Sequence, residues 1–254
     1  MTLLATTAAQ NQWNGSRLAR EWYERQTGVL QTGHNESFAA TVELSLVSPT
    51  FVNLGPDARH VPEVIAFFPL GVDERKLEWV FPTVSDRQKI SDGLCVLSLT
   101  YRASGFITML APLRDYLLPE NPSSSTLLAI AKDQYFDRLC GSQNERGVDG
   151  FTEVEWFISE DINAEHLLDI FMSIDTRPAD IWGVCYQFLD HLVEYKPRPV
   201  ILSPKIDTLP ETHTSKAECM CALATLFAVL GDFSVARKLH LHELRLWQRH
   251  GSEL

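Results

Sequence analysis

Between Ala179 and Tyr195 the chain reads ADIWGVCYQFLDHLVEY. Ile181, Trp182, Cys185, Phe188, Leu189, Leu192 and Val193 recur at the i, i+1, i+4, i+7, i+8 spacing of a helix with one core-facing side. A stripe that wide needs another element against it, so the segment predicts helix packed on helix. INAEHLLDIFMSI repeats the pattern through Leu167, Ile170, Phe171 and Ile174, and KPRPVILSPKIDTLP follows as a proline-punctuated connector. Residues 159–254 therefore read as all-helical, closing in AECMCALATLFAVLGDFSVARKLHLHELRLWQRH, a helix–turn–helix with Gly231-Asp232 at the turn.

The first half carries the same signal in shorter pieces. GSRLAREWYERQT predicts a charged amphipathic helix with Leu18 and Trp22 on one face. SFAATVELSLVSPTF predicts a second helix ending near Ser48, because Pro49 disfavours helical geometry just before it. PDARHVPEVIAFFP gives a third, DERKLEWVFP a short fourth capped by Asp73, and SDRQKISDGLCVLSL a fifth capped by Ser85, with Ile90, Leu94 and Leu97 on one face. Then LSLTYRASGFITML breaks the pattern. Two β-rich runs flank RASG, and Gly105 is free to adopt positive φ, so the stretch reads as a hairpin. Helices followed by one hairpin outline a winged helix, in which GFITMLAPLRDYL hands the second wing strand to the next helix at Pro112. TLLAIAKDQYFDRL resumes helix, and the polar loop CGSQNERGVDG marks the expected boundary. The fold class is thus mainly α: a helical segment (1–35), a winged helix with one small β-hairpin (36–140), and an α-helical repeat-like region (151–254).

Charge and cysteines narrow the function. The 254 residues carry a formal net charge of -11, with Arg and Lys scattered among carboxylates, so a phosphate backbone is repelled and nucleic acid is not an expected partner. The expected fifth helix makes the same point locally, because Arg87 and Lys89 are offset by Asp86 and Asp92. The five cysteines, 95, 140, 185, 219 and 221, are odd in number and form no CxxC pair, which points away from a disulfide framework or zinc knuckle and towards a reduced, cytoplasmic chain. Cys219 and Cys221 read as small apolar residues of a helix. No stretch has the length of a membrane span, and MTLLATTAAQNQW lacks a basic leader region; it reads as the end of a buried helix belonging to a longer protein.

The stretch from Ala217 to His250 resembles a tetratricopeptide repeat in length and in pattern. Leu223 and Ala224 match first-helix contact positions, Phe227 the aromatic that packs on them, Gly231 the turn, Ala236 the small second-helix residue and Leu244 a further apolar position. It departs at His240, where a large apolar residue is usual, and at Glu243, where alanine is usual. One repeat cannot bury its faces and stable arrays need about three, so degenerate repeats before it and further repeats after Leu254 are both expected.

In this order the pieces resemble part of a fungal, basidiomycete-type NLR-like protein of the STAND ATPase class. VIAFFPLGVDERKLEWVFP (64–82) resembles its winged-helix segment, and DGLCVLSLTYRASGFITMLAPLRDYL (92–117) the segment that ends in the family's Met-His-Asp motif. MTLLATTAAQNQW resembles the helix just beyond the Gly-Leu-Pro-Leu motif, and with the repeat-like tail the likeness covers nearly all of the chain. The resemblance implies a winged helix lying over the nucleotide pocket of an NB-ARC or NACHT module, with the motif histidine contacting the ADP phosphate. Met109 matches the methionine, but Leu110 stands where histidine is usual and Ala111 where aspartate is usual. A leucine cannot donate a hydrogen bond to phosphate, so the junction keeps an architectural role and Met109, Leu110 and Leu113 read as packing residues.

The chain contains no GxxxxGK[ST] phosphate loop and no apolar strand ending in paired acids. It is expected to be non-enzymatic and to hold no cofactor, ADP or ATP entering only with an upstream ATPase module. The expected function is a regulatory, protein-interaction segment that couples such a module to the repeat array, with protein partners met through the repeats and oligomerisation in the intact protein. Two alternatives stand beside it: a nucleotide-switched ATPase of which this is a truncated or divergent part, and a stand-alone repeat scaffold. No metal site is expected, because His240 and His242 point to different helix faces and His250 adds only to a solvated one. Cys185 and His191, six apart on one helix, are too far round it to form a nucleophile and base. Glu160 and Asp161 read as partners of the next helix dipole, with Glu165 and Asp169 facing solvent.

Overall fold

A computed structural model of the chain describes residues 41–118, 126–140, 153–173, 181–209 and 214–251. The expected helices at the N-terminus, the 1–35 segment, Ile174 and the loop at 141–150 lie outside the described residues. The chain divides into two compact units, residues 1–134 and 135–254.

The first unit begins with a helix over 41–46 (α1), which stops before Pro49 as that proline requires. Pro49 itself opens a new turn, α2 (Pro49–Val52), because a proline at the first helical position lacks only an N–H that would have no partner there. The Ser48 side chain caps it, accepting from the Phe51 N–H at 3.2 Å. The single helix expected from Pro56 is two pieces, a 3-10 turn (Pro56–Arg59) and α3 (Val61–Phe67), broken at His60 just ahead of Pro62. Then come β1 (Val72–Asp73), a 3-10 turn (Glu74–Lys76), α4 (Leu77–Val80) and α5 (Arg87–Val96). Strands β2 (Tyr101–Ala103) and β3 (Phe106–Thr108) lead into α6 (Ala111–Leu117), and α7 (Thr126–Cys140) carries the division between the units. Phe51, Val64, Ile65, Phe68, Phe81, Ile90, Leu94, Leu97 and Ile107 form the core, each almost wholly buried. Burial of such side chains contributes roughly 1.5–3 kcal/mol apiece before chain entropy is subtracted.

Two caps differ in outcome. Asp73 caps as expected, accepting from the Arg75 N–H at 2.9 Å. Ser85 does not cap α5; Asp86 occupies the N-cap without a side-chain bond, and Arg87 instead reaches back to the Val84 carbonyl at 2.9 Å. At its other end α5 closes by a Schellman arrangement. Ser98, at φ 58°, donates to the Cys95 carbonyl and Leu99 to the Leu94 carbonyl.

The mainly α fold with one small hairpin is borne out, and the hairpin gains a third strand. The sheet order is β1-β3-β2, antiparallel, with Val72 opposite Ile107 and Ala103 opposite Phe106. Ser104 and Gly105 both have positive φ, the type I′ turn that matches the twist of a two-residue hairpin. Gly71, at φ 81°, lets the backbone touch β3: a Cβ there would lie 2.0 Å from the Ile107 carbonyl oxygen.

The second unit holds α8 (Glu153–Ser173), α9 (Ile181–Tyr195), an extended connector, α10 (Ser203–Asp207), α11 (Thr214–Val229) and α12 (Phe233–Gly251). The apolar stripe of α9 is buried as its periodicity requires, with Val193 half-buried at its margin. α11 packs against both α9 and α12, and accordingly Ala217, Met220, Ala222, Leu223, Ala224 and Leu226 bury several of its sides.

The acidic residues of α8 correct the sequence reading. Glu160 and Asp161 sit in the middle of one 21-residue helix, not before the start of another, and both are fully buried. Glu165 is buried too, and Asp169 is half-buried. Their partners lie far along the chain, as described next.

Candidate functional site

The junction between β3 and α6 holds Met109, Leu110 and Ala111, the positions at which the resemblance sets a nucleotide-sensing motif whose histidine and aspartate are replaced here. Leu110 is the extended N-cap of α6, and its carbonyl accepts from the N–H groups of Leu113 and Arg114. The triplet divides by direction. Met109 is buried, whereas Leu110 is 61% exposed and Ala111 is exposed as well. Met109 and Leu113 are therefore packing residues, and Leu110 is not. Arg114 ties α6 down by donating from Nη2 to the Pro69 carbonyl at 2.7 Å.

Beside α6 a cavity of about 320 Å³ is lined by Glu43, Leu46, Val47, Phe51, Arg59, Pro62, Glu63, Tyr116 and Leu117. Two carboxylates face one guanidinium, so the lining disfavours a phosphate. The Tyr116 hydroxyl donates to Glu43 Oε1 at 3.0 Å, and burial together with that carboxylate pushes the phenol up to about 12.

In the second unit, Asp161, Glu165 and Asp169 stand at i, i+4, i+8 on one face of α8 and meet Lys196 and Arg198 of the connector and Lys205 of α10. Asp161 accepts from Lys196 Nζ at 2.8 Å and Arg198 Nε at 2.5 Å; Glu165 accepts from Arg198 Nη1 at 2.6 Å and from the Ile201 N–H at 2.5 Å. Lys205 pairs with Asp169. Burial would lower the Arg198 guanidinium, but the bonds from Asp161 and Glu165 outweigh it and the group is raised. Prolines 197 and 199 keep residues 196–202 from forming a helix of their own, so side chains of α8 hold them instead, while Pro204 sits in the first turn of α10. Glu160 takes the Tyr135 hydroxyl at 3.0 Å and the Asn163 amide at 2.7 Å. Every one of these carboxylates is engaged, which leaves no free acid/base pair among them.

The terminal hairpin carries the repeat positions. Leu223, Ala224 and Ala236 are buried and Phe227 is half-buried. Gly231, at φ 86°, ends α11 by donating to the Ala228 carbonyl while Asp232 donates to that of Phe227. Asp232 then caps α12, its Oδ1 accepting from the Val235 N–H at 3.1 Å. Leu244 departs from the packing expected of it: it is 53% exposed. Phe233, Leu241 and Trp247 are exposed with it, Phe233 at 72%. At 3.6 residues per turn these four fall within about 120° of helix circumference outside the hairpin seam, interspersed with the exposed polar residues Arg237, His240 and Gln248.

At the edge of that face Cys221 of α11 approaches His240 and Glu243 of α12, with one ligand atom of each within 4.8 Å of the others. Sequence spacing set His240 and His242 on different faces and offered no metal site; it could not show this group, which crosses the turn. Cys185 and His191 are engaged separately: His191 Nδ1 lies 2.8 Å from the Gln187 carbonyl oxygen, while Cys185 is buried, with its thiol raised by Cys219 and by burial.

No family model, curated protein or solved structure matches the chain. Among the described residues no helix is long and apolar enough to cross a membrane.

Proposed function

We propose that the chain is a non-catalytic regulatory and protein-interaction segment of an NLR-like STAND protein, acting in the cytoplasm. Its winged-helix part would couple a nucleotide-binding module to a tetratricopeptide-type array, and the terminal hairpin would make the protein contact. The observation that carries this reading is the exposure of four large apolar side chains, Phe233, Leu241, Leu244 and Trp247, on the outer side of α12. Large apolar side chains gathered on one side of a helix and rimmed by polar residues are the composition of a protein contact. An amphipathic helix laid along α12, as successive repeats supply, is the partner geometry that fits it.

The engaged carboxylates of α8 support a non-catalytic role, and the cavity beside α6 supports the reading that nucleotide is held by another module. Two measurements test the proposal. Titration calorimetry with ADP and ATP should show no binding to this chain alone; micromolar binding would favour the ATPase alternative. Proximity labelling in cells, comparing the native chain with Leu241→Asp/Leu244→Asp, should recover neighbours that the variant loses. An unchanged set would refute the assigned contact face.

A further inference from the structure

Three residues at the base of that contact face combine soft, borderline and hard donor chemistry: the Cys221 thiol, the His240 imidazole and the Glu243 carboxylate. We propose that they form a binding site for a thiophilic divalent cation of the zinc class, bridging α11 and α12. The inference is independent of the STAND reading and of the partner.

The geometry needs little adjustment. A tetrahedral zinc site with sulfur, nitrogen and oxygen ligands places those atoms about 3.3–3.6 Å apart. The three ligand atoms already lie within 4.8 Å of one another, and His240 Nδ1 is 2.9 Å from Glu243 Oε2. Small rotations of Cys221 and His240 close the rest. His240 and Glu243 are one helical turn apart on α12, so a single backbone element fixes both. Trp247 Nε1 donates to Glu243 Oε1 at 3.3 Å, orienting the carboxylate and leaving Oε2 towards the other two ligands.

Charge decides between a metal and a nucleophile. Burial, the Glu243 carboxylate and Asp190 all push the Cys221 thiol up, which disfavours a free thiolate nucleophile. A divalent cation reverses that balance. It displaces the thiol proton to solvent and is neutralised by one thiolate and one carboxylate, with a neutral imidazole as third ligand. The side chain of His240 is 47% exposed, so a fourth position opens outward, towards the same surface as Leu244 and Trp247. Water or a donor from a docked protein can occupy it.

The polar identity of the site also suits this role. His240 and Glu243 are the two positions at which the repeat pattern asks for apolar residues, and the structure brings both to Cys221.

The test is cobalt(II) titration of the full chain after chelator treatment, read by absorption. One equivalent should bind with a thiolate-to-cobalt charge-transfer band and the intense d–d bands of tetrahedral coordination. Cys221→Ser should abolish the charge-transfer band, His240→Ala and Glu243→Gln should each weaken binding at least tenfold, and His242→Ala should leave it unchanged. Zinc should raise the melting temperature of the native chain but not that of Glu243→Gln. No charge-transfer band in the native chain, or one that survives Cys221→Ser, overturns the proposal. So does affinity untouched by His240→Ala, a surface change that circular dichroism can show to be folded.

Discussion

Arg198 donates from Nε to the fully buried Asp161 carboxylate at 2.5 Å, across 37 positions of sequence. The pair fastens a segment that has no helix of its own to the middle of α8. Removing the cation leaves a buried carboxylate with one fewer partner. Arg198→Ala should therefore cost about 3 kcal/mol in a urea or thermal melt. Arg198→Lys should recover only part of the loss, because an ammonium cannot reach Asp161 and Glu165 in the fork a guanidinium provides.

Two leucines of the terminal hairpin separate packing from contact. Leu223→Ala removes a fully buried side chain and should cost about 2–5 kcal/mol. Leu244→Ala, on the exposed face, should change stability by roughly 0.5 kcal/mol or less while reducing the binding of an apolar dye. Equal costs in matched melts would contradict the burial assigned to them.

Two glycines with similar φ should respond unequally to alanine. At Gly231 a Cβ meets nothing within 4 Å, so the penalty is that of the left-handed backbone, about 1–2 kcal/mol. At Gly71 the same backbone penalty is joined by collision with the Ile107 carbonyl. Gly71→Ala should be clearly the worse of the two, with near-ultraviolet dichroism reporting the disturbed sheet.

Alkaline pH should act through Tyr116. Its folded pKa of about 12 lies above the ordinary 10.0, chiefly through burial and then through Glu43. A group raised in this way contributes stability that is complete below the unfolded pKa and is lost as pH rises through the folded one. Melting temperature should thus fall between pH of about 10 and 12 more steeply in the native chain than in Tyr116→Phe. Parallel curves would show that the phenol does not contribute.

The legible parts of the chain were those whose cause is local. The α9 stripe, the Gly231-Asp232 turn and the Asp73 cap each depend on residues within a few positions, and each appears where the pattern placed it. β1 was missed because two residues carry no periodicity; Val72 becomes a strand only through Ile107, 35 positions on. The acids of α8 were misread for the same reason, since Lys196, Arg198 and Lys205 lie beyond the whole of α9. Leu244 was assigned to packing from a repeat pattern that cannot distinguish the seam of a hairpin from the side that meets the next element. Cys221 and His240 belong to different helices, so their approach exists only after the turn has folded.

The strap over α8 has a direction. At its inner contact the Asp161 carboxylate is fully buried although Lys196 and Arg198 reach the surface, while both members of its outer contact, Asp169 and Lys205, are 29% exposed. Mobile ions screen a pair whose two members both touch water more readily than one whose carboxylate is buried. Rising ionic strength should loosen the Lys205 pair first, while Arg198 still grips α8 and buried Leu202 and Ile206 keep α10 in place. The surrounding salt would then set how firmly the outer end of the strap is tied to α8.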